Sequence, residues 1–109
     1  MINPKQWDFT KDLTNLLAFM LNSGYKPRLA YVLRSKEEAA GLGFPNSNHT
    51  RYLAADIDLF DKDGNYITDD TGHREFGAFW KSLRPENRWG GDFKKKDYNH
   101  YSREYNGVA

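Results

Sequence analysis

Leu53-Ala54-Ala55-Asp56-Ile57-Asp58-Leu59-Phe60 reads as a β-strand, and Asp61-Lys62-Asp63-Gly64-Asn65 behind it reads as a hairpin turn returning through Tyr66-Ile67-Thr68. A side-chain period of two puts Asp56 on one face with Ala54 and Asp58, and Ala55, Ile57 and Leu59 on the other. A carboxylate set among alanines in a strand needs a partner, because burying it unpaired costs several kcal/mol. A metal ion or a cationic group would remove that cost.

Working outward, the stretch from Gly41 to Asn48 is a loop, punctuated by Gly41, Gly43, Pro45 and Asn46. Before it, Ser35 is placed to cap a short helix through Lys36-Glu37-Glu38-Ala39-Ala40, with Glu38 set for a capping box. Arg28 to Arg34 is rich in strand formers. From Asp8 to Asn22, Phe9, Leu13, Leu16, Leu17, Met20 and Leu21 recur at helical spacing, and Ser23-Gly24 supplies the stop. Downstream, a second helix runs from His73 or Arg74 to Leu83, with Phe76, Phe79, Trp80 and Leu83 on one side and Pro85 beyond its end. Arg88 to Phe93 and Tyr98 to Tyr101 read as loop and strand, and residues 103–109 as a loose tail. Helices and antiparallel-type strands in separate runs predict a single α+β domain, an antiparallel sheet flanked by helices.

At 109 residues the chain has room for one core, and an aromatic content of 16% makes Phe, Tyr and Trp its main filling. Sixteen basic residues against fifteen acidic ones give a net charge of +1, too balanced for a protein whose affinity comes from neutralising nucleic-acid phosphates. Lys94-Lys95-Lys96 is the one concentrated basic run, either a solvated loop or a point of attraction to an anionic polymer such as a bacterial wall. There is no cysteine, so any zinc must sit on nitrogen and oxygen ligands. No stretch approaches the roughly eighteen apolar residues that span a membrane. Met1 to Asp8 lacks the apolar core of a signal peptide, so synthesis in a cytoplasm is expected, with any action outside requiring another protein.

Two separated segments carry the chemistry: Ser47-Asn48-His49 running to Asp56, and Asp97-Tyr98-Asn99-His100. Two histidines and an aspartate can hold zinc and leave a fourth position for water. His49 lies in the loop entering the Asp56 strand, and His100 must come from a neighbouring strand or loop. Asp97 and His100 are three apart, so a turn through Tyr98-Asn99 must bring them together, and Asn tolerates such turns. Asp97 would then act as base and later as acid toward a water whose pKa zinc lowers from 15.7 towards about 7. Against this, a lone histidine is more often structural than a ligand.

Other features mislead. Asp61 to Asn65 has the look of a calcium loop, but with Gly64 in the sixth position the first ligand position falls on Leu59. His73, among polar residues at a helix start, is expected to face solvent. Trp80, Phe76 and Phe79 are core; Trp89, beside Gly90-Gly91, either packs under the site or lines the cleft.

The run from Ser47 to Phe60 resembles the first metal motif of the D-alanyl-D-alanine carboxypeptidase and L-alanyl-D-glutamate endopeptidase family, which is grouped with the vancomycin-resistance dipeptidases. That motif is Ser-x-His followed by Ala-x-Asp at this spacing. Arg88-Trp89-Gly90-Gly91-Asp92-Phe93 with Asp97-Tyr98-Asn99-His100-Tyr101 resembles the second motif, most closely that of the small single-domain phage endolysins. The resemblance spans roughly Gly24 to Ser102. It implies that His49, Asp56 and His100 hold zinc, that Asp97 is the catalytic base, and that Arg34 stabilises the oxyanion. It implies for Ser47 a place near the substrate backbone, although shaping the loop before His49 serves equally.

Many members carry Gly where this chain has Tyr52, Gln where it has Ala39, and Glu after the final histidine where it has Tyr101-Ser102. These departures bear on substrate preference. The implied protein is a zinc peptidase of bacterial peptidoglycan stem peptides, monomeric, made in a host cytoplasm and reaching the periplasm or wall after membrane permeabilisation by another protein. Whether it cuts as an endopeptidase or a carboxypeptidase stays open. Rival readings are a metal-dependent phage nuclease using Asn99-His100 and the lysine run, and a non-catalytic wall-binding module.

Overall fold

The computed structural model describes residues 2–32 and 51–109. Helix α1 spans Asn3–Asn22, followed by strands β1 (Lys26–Tyr31) and β2 (Ala54–Phe60), helix α2 (His73–Leu83), strand β3 (Asn87–Trp89), a 3-10 turn (Gly90–Asp92) and strand β4 (His100–Arg103). The architecture is α+β. All three strand pairings are antiparallel, in the order β1-β2-β4-β3. Strands β2 and β3 are therefore parallel to each other, joined across α2, with β4 filling the gap between them.

Helix α1 begins five residues earlier than its apolar periodicity, because Pro4 occupies the first turn, where a missing N–H costs nothing. The period-two pattern of β2 holds: Ala55, Ile57 and Leu59 are fully buried, while Asp56 and Asp58 are half-buried on the other face. The buried face carries the core. Phe9, Leu13, Leu16 and Met20 of α1 and Phe76 and Trp80 of α2 pack there with Leu53, Trp89 and Tyr101. Edge-to-face ring pairs lock the layers, Phe9 on Trp80 at 5.6 Å, Phe19 on Phe76 at 5.5 Å and Trp80 on Tyr101 at 6.2 Å. Each such pair adds about 0.5–1.5 kcal/mol beyond its buried area.

A buried polar knot ties α1 to the end of α2. Asp12, 3% exposed, accepts two hydrogen bonds from the Arg84 guanidinium, at 2.8 and 3.1 Å, and one from Asn87 Nδ2. Three sequence expectations are corrected. The hairpin arm at Tyr66 to Thr68 forms a single bridge, Phe60 to Tyr66, while Asp61 closes its turn by accepting the backbone N–H groups of Asp63 and Asn65. The C-terminal residues form a turn bridged between Tyr105 and Val108, with Glu104 N–H bonded to Glu86 O. The first strand begins two residues earlier than read, spanning Lys26–Tyr31, with a bend at Val32. Among the described residues no helix is long and apolar enough to cross a membrane. The short helix expected over Lys36 to Ala40, and Arg34, Ser47 and His49, lie outside the described residues.

Candidate metal centre

Antiparallel register places Asp56 of β2 directly opposite His100 of β4. Across such a pair, side chains on the same face stand about 5 Å apart at Cβ and meet. His100 Nδ1 lies 3.2 Å from Asp56 Oδ1. The turn that precedes β4 then delivers Asp97. Its carbonyl accepts the His100 N–H at 3.1 Å, so Asp97-Tyr98-Asn99-His100 is the closed turn that the three-residue spacing requires. Asp97 Oδ2 stands 4.0 Å from the same His100 nitrogen.

The turn is held from three sides. Trp89 Nε1 donates to Tyr98 O at 2.7 Å, Asp97 N–H donates to Gly90 O at 3.0 Å, and Ile57 N–H donates to Asn99 O at 2.8 Å. Gly90 has no side chain because none fits: a Cβ there would lie 2.0 Å from Asp97 O and 2.9 Å from His100 Cβ. Gly77 and Gly91 leave room for the Trp89 indole, which a Cβ at either would meet at 2.3 Å. Trp89, 7% exposed, therefore packs beneath the turn.

Asp56, Asp97 and His100 each present one ligand atom within 4.8 Å of the other two. Zinc bonds to imidazole N and carboxylate O of about 2.0–2.2 Å make a tetrahedral edge of about 3.3 Å. The 3.2 Å between His100 Nδ1 and Asp56 Oδ1 matches such an edge. Asp97, set back at 4.0 Å with a half-exposed side chain, suits a group beside the ion. The three residues together could hold a metal ion, Asp56 and His100 being the closest pair.

Sequence reasoning placed His73 in solvent, and the structure corrects it. His73 is 2% exposed, and its Nδ1 makes a 2.8 Å hydrogen bond with the Tyr101 hydroxyl. Burial lowers its pKa from 6.5 to about 4, against an opposing pull from Asp58, Asp69 and Asp70. Burial likewise pushes the Tyr101 hydroxyl well above its ordinary value, so this pair is neutral near pH 7. It lies one residue along β4 from His100, on the core side. The polar neighbours Thr71, Arg74 and Glu75 concealed this burial in the sequence.

Tyr52 adopts φ +59°, a left-handed conformation that bulky residues avoid. It stands where many members of the resembled family carry Gly, and its ring is half exposed. The lysines at 94, 95 and 96 are exposed immediately before Asp97.

No protein-family model matches the chain, and no curated protein matches it. Among solved structures, the chain is similar to the crystal structure of Serratia marcescens L-Ala D-Glu endopeptidase ChiX. The TM-score is 0.66 at 20% identity, over 86% of this chain and 79% of that one. The two share a fold. Identity this low carries the likeness no further than architecture.

Proposed function

We propose that this chain is a zinc-dependent peptidoglycan peptidase of the phage-endolysin type, hydrolysing an amide bond in the wall stem peptide. The observation that carries the reading is the convergence of Asp56, Asp97 and His100 from one strand and one turn. The fold shared with an L-Ala D-Glu endopeptidase supports it. So do the described parts of the two motifs, which place Asp56 opposite His100.

Asp56 and His100 would hold zinc together with His49. The ion when bound supplies a Lewis acid for the scissile carbonyl and lowers the pKa of water. The chain's own residues do the rest. Asp97, half exposed beside His100, takes a proton from the attacking water and returns it to the leaving amine. Arg34 is assigned the developing oxyanion, and Ser47 the substrate backbone. The Asp97 turn hangs from backbone and indole donors, so its carboxylate is positioned before substrate arrives.

The test is mass spectrometry of purified peptidoglycan fragments incubated with zinc-loaded protein, with and without a chelator. Cleavage that the chelator abolishes is the expected result, and the product masses name the bond. Intact fragments from a protein holding one zinc per chain would refute the peptidase assignment.

A further inference from the structure

Asp58 sits two residues beyond Asp56, on the same face of β2. It stands opposite Arg28 in the β1–β2 register. Its two oxygens are divided between two partners. Oδ2 accepts from Arg28 Nη2 at 2.8 Å, and Oδ1 accepts from Asn99 Nδ2 at 3.1 Å. Asn99 is one of the two inner residues of the turn that carries both Asp97 and His100, and its carbonyl accepts from Ile57 N–H in β2. Asn99 therefore fastens the turn to β2 by one backbone bond and one side-chain bond, on consecutive β2 residues. The carboxylate side chain is 12% exposed and its arginine 64% exposed. The better shielded contact therefore faces the turn, and the arginine neutralises the charge from the solvent side.

We propose that Asp58 is a positioning residue for the metal centre: through Asn99 it fixes the Asp97–His100 turn against β2, setting the placement of His100 and Asp97 relative to Asp56. This rests on the zinc reading above. Groups bonded directly to a metal ligand change metal affinity by about 10–100-fold when removed, and Asp58 acts one residue further out, through Asn99. Backbone anchors at Gly90 and Ile57 remain in the variants, so the turn loosens without unfolding.

The experiment measures zinc affinity by competition with a chromophoric chelator, and the melting of the metal-free protein, for wild type, Asn99→Ala, Asp58→Ala, the double variant and Asp58→Asn. Expected is a loss of about 10-fold or more in affinity for each alanine variant. The double variant should be no worse than the weaker single one, because both remove the same link. Asp58→Asn keeps an oxygen acceptor for Asn99 and should recover most of the affinity, and the metal-free melting of Asn99→Ala should stay near wild type. Wild-type affinity in Asn99→Ala and Asp58→Ala overturns the positioning role and leaves the zinc reading standing. Losses that multiply in the double variant, or no recovery in Asp58→Asn, overturn it too. A wild type that binds no zinc overturns the metal reading, and the positioning role with it.

Discussion

Replacing Gly90 with alanine separates the turn's geometry from its chemistry. The new Cβ would lie 2.0 Å from the Asp97 carbonyl oxygen and 2.9 Å from His100 Cβ. The obstacle is backbone, with no flexible side chain to swing aside. Relief to 3.0 Å, a separation real Cβ contacts essentially never undercut, moves the turn by about 1 Å. That shift strains the Asp97 N–H to Gly90 O bond and carries Asp97 and His100 away from Asp56. Overpacking of this kind costs about 1–3 kcal/mol, or roughly 5–15 °C in melting temperature for a domain this size. A ligand set tolerates only about 0.5 Å of error, so zinc affinity should fall by about 100-fold or more. The assay is chelator-competition zinc titration beside thermal melting of the metal-free protein. Gly64→Ala is the control: its φ of +84° makes alanine strained, yet no atom lies within 4 Å. It should lose about 1 kcal/mol and keep zinc affinity. A Gly90→Ala protein that melts and binds zinc like wild type would refute the packing account of the turn.

Asp97→Asn should hold zinc within a few-fold of wild type while turnover on wall fragments drops by about 10²–10⁴, measured by metal analysis beside product release; loss of the metal would make Asp97 a ligand. Asp12→Ala removes both Arg84 bonds and one from Asn87, for a loss of about 2–3 kcal/mol in denaturant melts. Asp70→Ala, which breaks an exposed pair with Arg74, should change stability by less than about 1 kcal/mol. His73 has a folded pKa of about 4 against 6.5 unfolded, so between those values the unfolded chain binds the extra proton and stability falls as pH drops. That stability is fully present above pH 6.5 and is lost as the pH falls towards 4. Melts of wild type and His73→Phe between pH 6.5 and 5 check this, and equal slopes would count against it.

Much of the sheet was legible because its signals are local. The alternation in Ala54 to Phe60, the Phe76-Phe79-Trp80-Leu83 face and the bend demanded by Asp97 and His100 are each written within a dozen residues. What escaped depends on partners remote in the chain. Asp12 looks like a surface carboxylate until Arg84 meets it 72 residues later. His73 looks solvated until Tyr101 supplies its hydrogen bond. Asp58 looks like a spare acid until Asn99 arrives 41 residues on. The Tyr66 arm had a good turn signal but gains one bridge and no strand, because a turn sets direction without supplying cross-strand partners. His49, Arg34 and Ser47 rest on the motif resemblance.

The strand order bears on how the molecule is made. Strand β4 is the last of the four to leave the ribosome and the one that joins β2 to β3. A nascent chain ending before His100 has β2 paired on one side only and β3 paired with nothing in the sheet. It also lacks the imidazole opposite Asp56. Pairing across 44 residues is slow to close, since the loop must be ordered before its contacts form. Sheet closure and the convergence of Asp56, Asp97 and His100 are then a single late event. A chain built this way does not bring Asp56 and His100 together until its final strand is in place.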